Sequence, residues 1–425
     1  MGPGSGSGGM KGRTLPVRSA YACRQQEKRQ HFAAAFLAGS EKERKRNRMI
    51  LKHGQLFDEN FDLLEADLAV EGDRIASIGR ELTGEEELDC TGCLILPGFV
   101  DVHIHGCVGA DTCDGEEAAI RKMARHLLTK GVTSFCPTTM TVSPDEIRAA
   151  LRAARGCMER PEEGARVLGV NMEGPFISVN KKGAQKAEHV RNPDWELFRS
   201  LYDDCGGIVR LVDVAPECEG AQELITKAKE LCTVSIAHTE SDYDQAKQSF
   251  AWGITHATHL YNAMNGLTHR APGVVGAVMD TPTVAAELIC DGFHIHPAVL
   301  RITFRILGED RTVVVSDSMR AAGQPDGDYD LGGQMVQVRG GHALLPDGTI
   351  AGSTTNLHDE LKNLISFGIP LRHAVKSVTI NPAREVGADG EVGSLAPGKL
   401  ADAVVLDAQT YEIRYVMKDG RLAQL

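Results

Sequence analysis

The sequence predicts an α/β protein: a TIM-like (β/α)8 barrel inserted in a small β-sandwich domain built from both chain ends. Three observations lead there. Eight short apolar runs rich in β-branched residues lie between residues 99 and 317. Amphipathic helical stretches separate most of them, among them EEAAIRKMARHLLTKG and GAQELITKAKELC. The two chain ends read instead as alternating strands broken by Gly and Asp turns. Continuous apolar strands alternating with helices imply a parallel sheet covered on both faces. Eight such units fit a barrel, which takes roughly 250 residues and leaves room in 425 for a smaller domain.

The elements follow in chain order. Residues 1–48 begin MGPGSGSGGMKGR, a flexible linker composition, and end EKERKRNR, solvated charge. They carry 11 Lys and Arg against 3 Asp and Glu, a net +8, so the acidic remainder carries −20 and the whole chain −12. This segment is expected to be a disordered basic tail or start-site extension ahead of Met49. Residues 49–97 (MILKHGQLFD, LLEADLAVEGDRIASIG, EELDCTGCLILPG) and 385–425 (VGSLAPGKLADAVVLD, YEIRYVMKDGRLAQ) supply alternating strands. Neither end is long enough for a stable sheet alone, so together they are expected to form the sandwich. The barrel is expected over 98–384. Its strands are FVDVHIH (99–105), VTSFCPT (132–138), VLGVNME (167–173), IVRLVDVAP (208–216), TVSIAHT (233–239), ITHATH (254–259), TVAAELICDG (283–292) and TVVVSD (312–317). Long insertions after the third and eighth strands are expected to be active-site loops.

Composition narrows the function classes. With 42% hydrophobic and 24% charged residues the chain is ordinary globular protein. No apolar run approaches the ~20 residues of a membrane span. The net negative charge argues against nucleic acid as a partner. Eleven dispersed cysteines, an odd number, suit reduced thiols and a cytoplasmic location. Cys90 and Cys93 form one CxxC with no second pair or nearby histidine pair, so they read as strand ends beside a Gly turn.

Metal-capable residues cluster at strand ends. His103 and His105 close strand one, Glu173 strand three, His238 strand five, His259 strand six and Asp317 strand eight. Strand C-terminal ends of a barrel all face one mouth, where active sites of this fold lie. His103 and His105, two apart, share a face. A lone strand histidine is ordinarily a core residue, but six candidates at C-terminal ends and none at strand starts point to a divalent transition metal. His256 reads as a decoy or as support behind the ligands.

The motifs PGFVDVHIHG, NMEGPF, SIAHT, ATHLYNAMNGL, RAPG, ICDGFHIH and VSDSM, in this order and followed by GKLADAVVLD, resemble the amidohydrolase superfamily. More narrowly they are similar to its deacetylases of N-acetylglucosamine 6-phosphate. The resemblance runs from Met49 to the end. It implies Glu173, His238 and His259 as ligands of one metal, Zn2+, Fe2+ or similar. It implies His103 and His105 as a pair that holds a second metal in some members, and so one or two ions per subunit. Asp317 matches the catalytic acid/base. Asn262 and Ala263 match positions that grip phosphate or sugar. Arg270 matches a phosphate-binding arginine often donated across a dimer interface, which implies a homodimer. Asp291, Gly292, Phe293 and His294 match a substrate-contacting strand end, and Ile350, Ala351 and Gly352 a loop lining the sugar pocket. Ala184 and Gln185 stand where many members have Gly-x-His. Gln185 therefore replaces a carbonyl-polarising histidine, although its N–H can still donate.

The implied reaction is hydrolysis of a small phosphorylated amino sugar to acetate and the free amine, within amino-sugar catabolism. Other amidohydrolases often use a carboxylated lysine on strand four, and IVRLVDVAP has none. The galactosamine epimer as substrate, or a fold retained as a non-catalytic scaffold, are the alternatives.

Overall fold

A computed structural model describes residues 48–424. The basic tail therefore lies, but for Arg48, outside the described residues. Eight parallel strands form the barrel: β1 (Phe99–Ile104), β2 (Val132–Thr139), β3 (Val170–Met172), β4 (Val209–Val214), β5 (Thr233–Ile236), β6 (His256–Ala257), β7 (Ala285–Leu288) and β8 (Thr312–Val314). Each pairs with the next. The seam between β8 and β1 is joined just past their ends. There the Asp317 N–H donates to His103 O at 2.9 Å, and the His105 N–H donates to Ser318 O at 3.0 Å. The strands are nearly all buried, as expected where helices cover the outer face. Helices such as Glu117–Thr129 turn Ile120, Met123 and Leu127 inward, three and four residues apart.

The expected fold class holds. Strands from both ends form one eight-stranded mixed sheet. Strand Arg48–Phe57 is irregular between Leu51 and Gly54. Its first half pairs with Glu86–Asp89 and its second with Cys93–Pro97. The sheet thus forks and closes over its own apolar core of Leu51, Leu56, Leu68, Ile95, Val405 and Met417. Strand Ala403–Asp407 from the C-terminal end lies antiparallel to Cys93–Pro97, which leads into β1. Arg166, just before β3, ties the barrel to this sheet through Asp402 at 2.9 Å and Asp419.

The insertion after β3 carries short 3-10 turns at Val179–Lys181 and Ala187–His189. The one after β8 is a three-stranded antiparallel sheet of Gly327–Leu331, Gln334–Arg339 and His342–Leu344. The ten described cysteines are all free. Cys90 and Cys93 flank the turn at Gly92, and burial pushes the Cys90 thiol up to about 12. No described helix is long and apolar enough to cross a membrane.

Candidate metal centre at the barrel mouth

The strands end in a shared backbone device. His238 (φ 43°), His259 (φ 30°) and Asp317 (φ 45°) follow β5, β6 and β8 in left-handed conformation. Such a conformation costs a residue with a side chain on the order of 1–3 kcal/mol and persists only where surroundings enforce it. Each of the three carbonyls accepts a loop N–H. His238 O accepts the Ser178 N–H at 2.9 Å, His259 O the Asn262 N–H at 2.9 Å, and Asp317 O the Ser353 N–H at 2.7 Å. The kinks end each strand and bring the side chains together over the barrel axis. After Glu173 the chain turns away at Gly174 (φ +79°), where a Cβ would lie 2.1 Å from Thr141 Oγ1, so only glycine fits.

All six strand-end candidates meet. Glu173, His238 and His259 form one triad and His103, His105 and Asp317 another, each with ligand-capable atoms within 4.8 Å of one another. Glu173 Oε1 lies 3.0 Å from both His238 Nε2 and His259 Nε2. Asp317 Oδ1 lies 3.2 Å from His105 Nε2 and 3.5 Å from His103 Nε2. Glu173 Oε2, 3.2 Å from His105 Nε2, joins the triads. All six are buried, Asp317 the least at 8% exposure.

The tautomers show what this cluster lacks. His238 Nδ1 donates to Lys181 O at 2.8 Å, and His105 Nδ1 to Thr138 O at 3.3 Å. His103 Nδ1 faces Glu287 Oε2 at 2.9 Å. These acceptors take the Nδ1 protons and leave the Nε2 lone pairs turned to the centre. There His238 Nε2 and His259 Nε2 stand 3.1 Å apart, and His103 Nε2 and His105 Nε2 3.4 Å apart. His259 Nδ1 is buried and has no hydrogen-bond partner among the described residues, and imidazole nitrogens and carboxylates crowded in a buried site need shared positive charge. Four imidazoles and two carboxylates are a donor set for a divalent transition metal. The same rings act on the acids. Burial would raise Asp317, but His103 and His105 outweigh it and hold the carboxyl below its usual range. Burial likewise opposes ionisation of Glu173, and the His105, His238 and His259 rings beside it bring it well down.

The other expected site residues lie around this mouth or at its rim. Asn262 caps its own turn, its side-chain N–H donating to His259 O at 3.2 Å. Ala263 is left-handed (φ 51°) and its carbonyl accepts the Thr239 N–H at 3.1 Å. Arg270 is exposed, and its guanidinium bonds no other described residue. Asp291 accepts the N–H groups of Phe293 and His294, both at 2.9 Å, across Gly292 (φ 78°). Its other oxygen lies 2.7 Å from His294 Nδ1. The Phe293 ring stacks on His342 from the last insertion, centroids 4.0 Å apart. Ala351 N–H bonds Ala343 O beside Ile350, and a Cβ on Gly352 would lie 3.1 Å from Asp317 O. Ala184 O accepts a hydrogen bond from the Gln334 side chain.

Gln185 is differently employed from the expectation. Its Nε2 donates to Glu173 Oε2 at 2.6 Å, while its Oε1 accepts the Thr141 N–H at 2.6 Å. One N–H of its amide orients Glu173 and its carbonyl is held by the backbone, which fixes the side chain at the edge of the cluster. Sequence reasoning also missed the buried polar layer beneath the ligands: Asp101 on β1, Asp213 on β4 and Glu287 on β7, none with exposed surface. The available signal was a carboxylate inside an otherwise apolar run, as in FVDVHIH and TVAAELICDG.

A barrel with this mouth is the architecture of metal-dependent hydrolases. The model of the amidohydrolase family matches residues 94–423, and the chain belongs to that family. Among curated relatives it is 35% identical to the N-acetylglucosamine-6-phosphate deacetylase of Bacillus subtilis, over 85% of this chain and 93% of that protein. It is 36% identical to the N-acetylgalactosamine-6-phosphate deacetylase of Escherichia coli O157:H7, over 78% and 88%. Among solved structures, an N-acetyl-D-glucosamine-6-phosphate deacetylase mutant of Mycobacterium smegmatis in complex with N-acetyl-D-glucosamine-6-phosphate superposes with a TM-score of 0.83 at 29% identity, covering 88% of this chain and 99% of that one. Within the amidohydrolases the chain groups with these hexosamine-phosphate deacetylases, and it is an enzyme.

Proposed function

We propose that this enzyme hydrolyses the N-acetyl group of N-acetylglucosamine 6-phosphate to glucosamine 6-phosphate and acetate. The observation that carries the reading is the paired triad, with Asp317 ionised beside two imidazoles. Glu173, His238 and His259 would hold one divalent ion, Zn2+ or Fe2+, and His103, His105 and Asp317 would face a second. Such an ion supplies Lewis acidity and lowers the pKa of water from 15.7 to about 7. The chain's own residues do the rest. Asp317, the least buried of the six, accepts the proton of the attacking water. It then returns a proton to the departing nitrogen, because an amide anion is too basic to leave. Gln185 fixes Glu173 throughout.

His294, oriented by Asp291, and Arg270 supply donors for the 6-phosphate, for which a bidentate guanidinium suits the dianion. Arg270 and the neighbouring Leu267, 55% exposed, stand free on one loop. This supports a homodimer in which Arg270 serves the partner's site. Asn262, Ala263, Phe293 and the 350–352 loop line the sugar. We take 49–97 with 385–425 as the sandwich domain, 98–384 as the barrel, and the cytoplasm, on the free cysteines, as the location.

The galactosamine epimer is the second reading, favoured by the 36% identical relative. Acetate release measured on both 6-phosphates and on unphosphorylated N-acetylglucosamine tests the proposal. Release from N-acetylglucosamine 6-phosphate, lost on chelation and restored by metal, is expected. Preference for the galactosamine compound would reassign the substrate, and no release from either in metal-replete protein would overturn the activity.

A further inference from the structure

Glu287 is the carboxylate of β7, wholly buried, and the reaction above gives it no task. Its two oxygens serve two rings. Oε2 faces His103 Nδ1 at 2.9 Å and also accepts the His259 backbone N–H at 3.2 Å. Oε1 faces His256 Nε2 at 3.1 Å. The far nitrogen of His256, Nδ1, faces Glu385 Oε2 at 3.0 Å. Glu385 ends helix Ile380–Glu385 and is anchored in turn, its carbonyl accepting the Thr233 hydroxyl at 2.7 Å at the start of β5. A continuous buried chain of ionisable groups thus runs from the metal centre down the barrel.

We propose that Glu287 is the positioning residue of the centre: it holds His103 as the tautomer whose Nε2 lone pair faces the ion, and His256 with Glu385 holds Glu287 in turn. This rests on reading His103 and His105 as ion ligands. The chemistry is directional. With Oε2 as acceptor, the His103 Nδ1 carries a proton, and Nε2, turned to His105 and Asp317, is the nitrogen left to bind an ion. His256 faces a carboxylate through each nitrogen, so both carry protons and the ring is cationic; it offsets a charge that no water reaches. Consistent with this, burial pulls the His256 ring down, but Glu287 and Glu385 raise it to about 10. Only a carboxylate accepts from both rings at once. Glutamine, of nearly the same shape, offers one acceptor and one NH2, so one of the two rings must lose its bond or flip its tautomer.

The test is Co2+ titration of the purified full chain, read by visible absorption and by elemental analysis. Wild type, Glu287→Gln, Glu385→Gln and His103→Ala/His105→Ala are compared, with thermal unfolding as a check on folding. The double variant should hold one ion fewer than wild type. Glu287→Gln should bind that same ion about 10–100-fold more weakly with an altered cobalt spectrum. Glu385→Gln, which touches no ligand, should weaken it in the same direction by less. If Glu287→Gln titrates like wild type while the double variant loses an ion, the positioning role is overturned and the metal reading stands. If Glu385→Gln alone titrates like wild type, the chain stops at Glu287 and the relay is overturned. If the double variant holds as many ions as wild type, the two-ion reading itself fails.

Discussion

Inside the chain-end sheet, Leu51, Leu56, Leu68, Ile95, Val405 and Met417 pack through apolar side chains. Along the barrel axis, Asp101, Asp213, His256 and Glu287 are as deeply buried, every one of them ionisable. The first interior is held by area removed from water, which has no direction and tolerates swaps of similar volume. The second is held by partners: Asp101 by the Ser316 hydroxyl at 2.6 Å, Glu287 by two imidazoles. Each member there is costly without its neighbour. One region carries stability, the other geometry, and substitutions in the two should fail in different ways.

The largest contrast should come from one substitution in each region. Asp317→Asn should cut kcat by roughly 10²–10⁴-fold with unfolding temperature and the ion of Glu173, His238 and His259 kept. Near-wild-type turnover would remove Asp317 from proton transfer. Leu68→Ala should do the reverse, costing about 2–5 kcal/mol in denaturant unfolding while kcat per folded molecule stays unchanged. A fall in kcat there would mean that the sheet shapes the mouth. Arg270→Ala comes next, raising KM for the phosphorylated sugar about 10–100-fold, the worth of a charged hydrogen bond. Equal losses on unphosphorylated N-acetylglucosamine would show that it does not read phosphate.

A smaller effect separates the regions by pH. His256 in the metal-free protein is raised from 6.5 to about 10, by Glu287 and Glu385 against the opposing effect of burial. A raised folded-state pKa contributes stability fully present below 6.5 and lost as pH climbs toward about 10. The unfolding temperature of the metal-free enzyme should therefore fall across that window, and fall less in His256→Gln. An identical slope in both would place the pH dependence elsewhere. Least of all, removal of residues 1–47 should leave turnover and unfolding temperature unchanged; a drop in either would give that segment a place on the body.

The difference between the regions also governs what could be read in advance. The strands of both were legible because apolar alternation and continuous apolar runs report burial directly. His103, His105, Glu173, His238, His259 and Asp317 stood out because their side-chain types are rare at strand ends and all six fell at the same end. Gln185 was legible as a position but not as a contact. Its bond to Glu173 spans a loop, and no local spacing encodes that. Glu287 was passed over because a lone carboxylate in an apolar run has meaning only beside the rings that approach it from β1 and β6.

By itself, then, the order of strands and helices along the chain determined the barrel, its attachment to a sheet of both ends, and the side chains available for metal chemistry. Tertiary structure alone decided how those side chains meet. The left-handed turns at His238 and Asp317 are unfavourable locally and exist because the loop N–H groups of Ser178 and Ser353, far along the chain, hold their carbonyls. The tautomer of His103 is set by a carboxylate 184 residues away. Burial is a property each residue carries in its own composition, whereas a hydrogen bond belongs to two residues and appears only when the chain has brought both to one place.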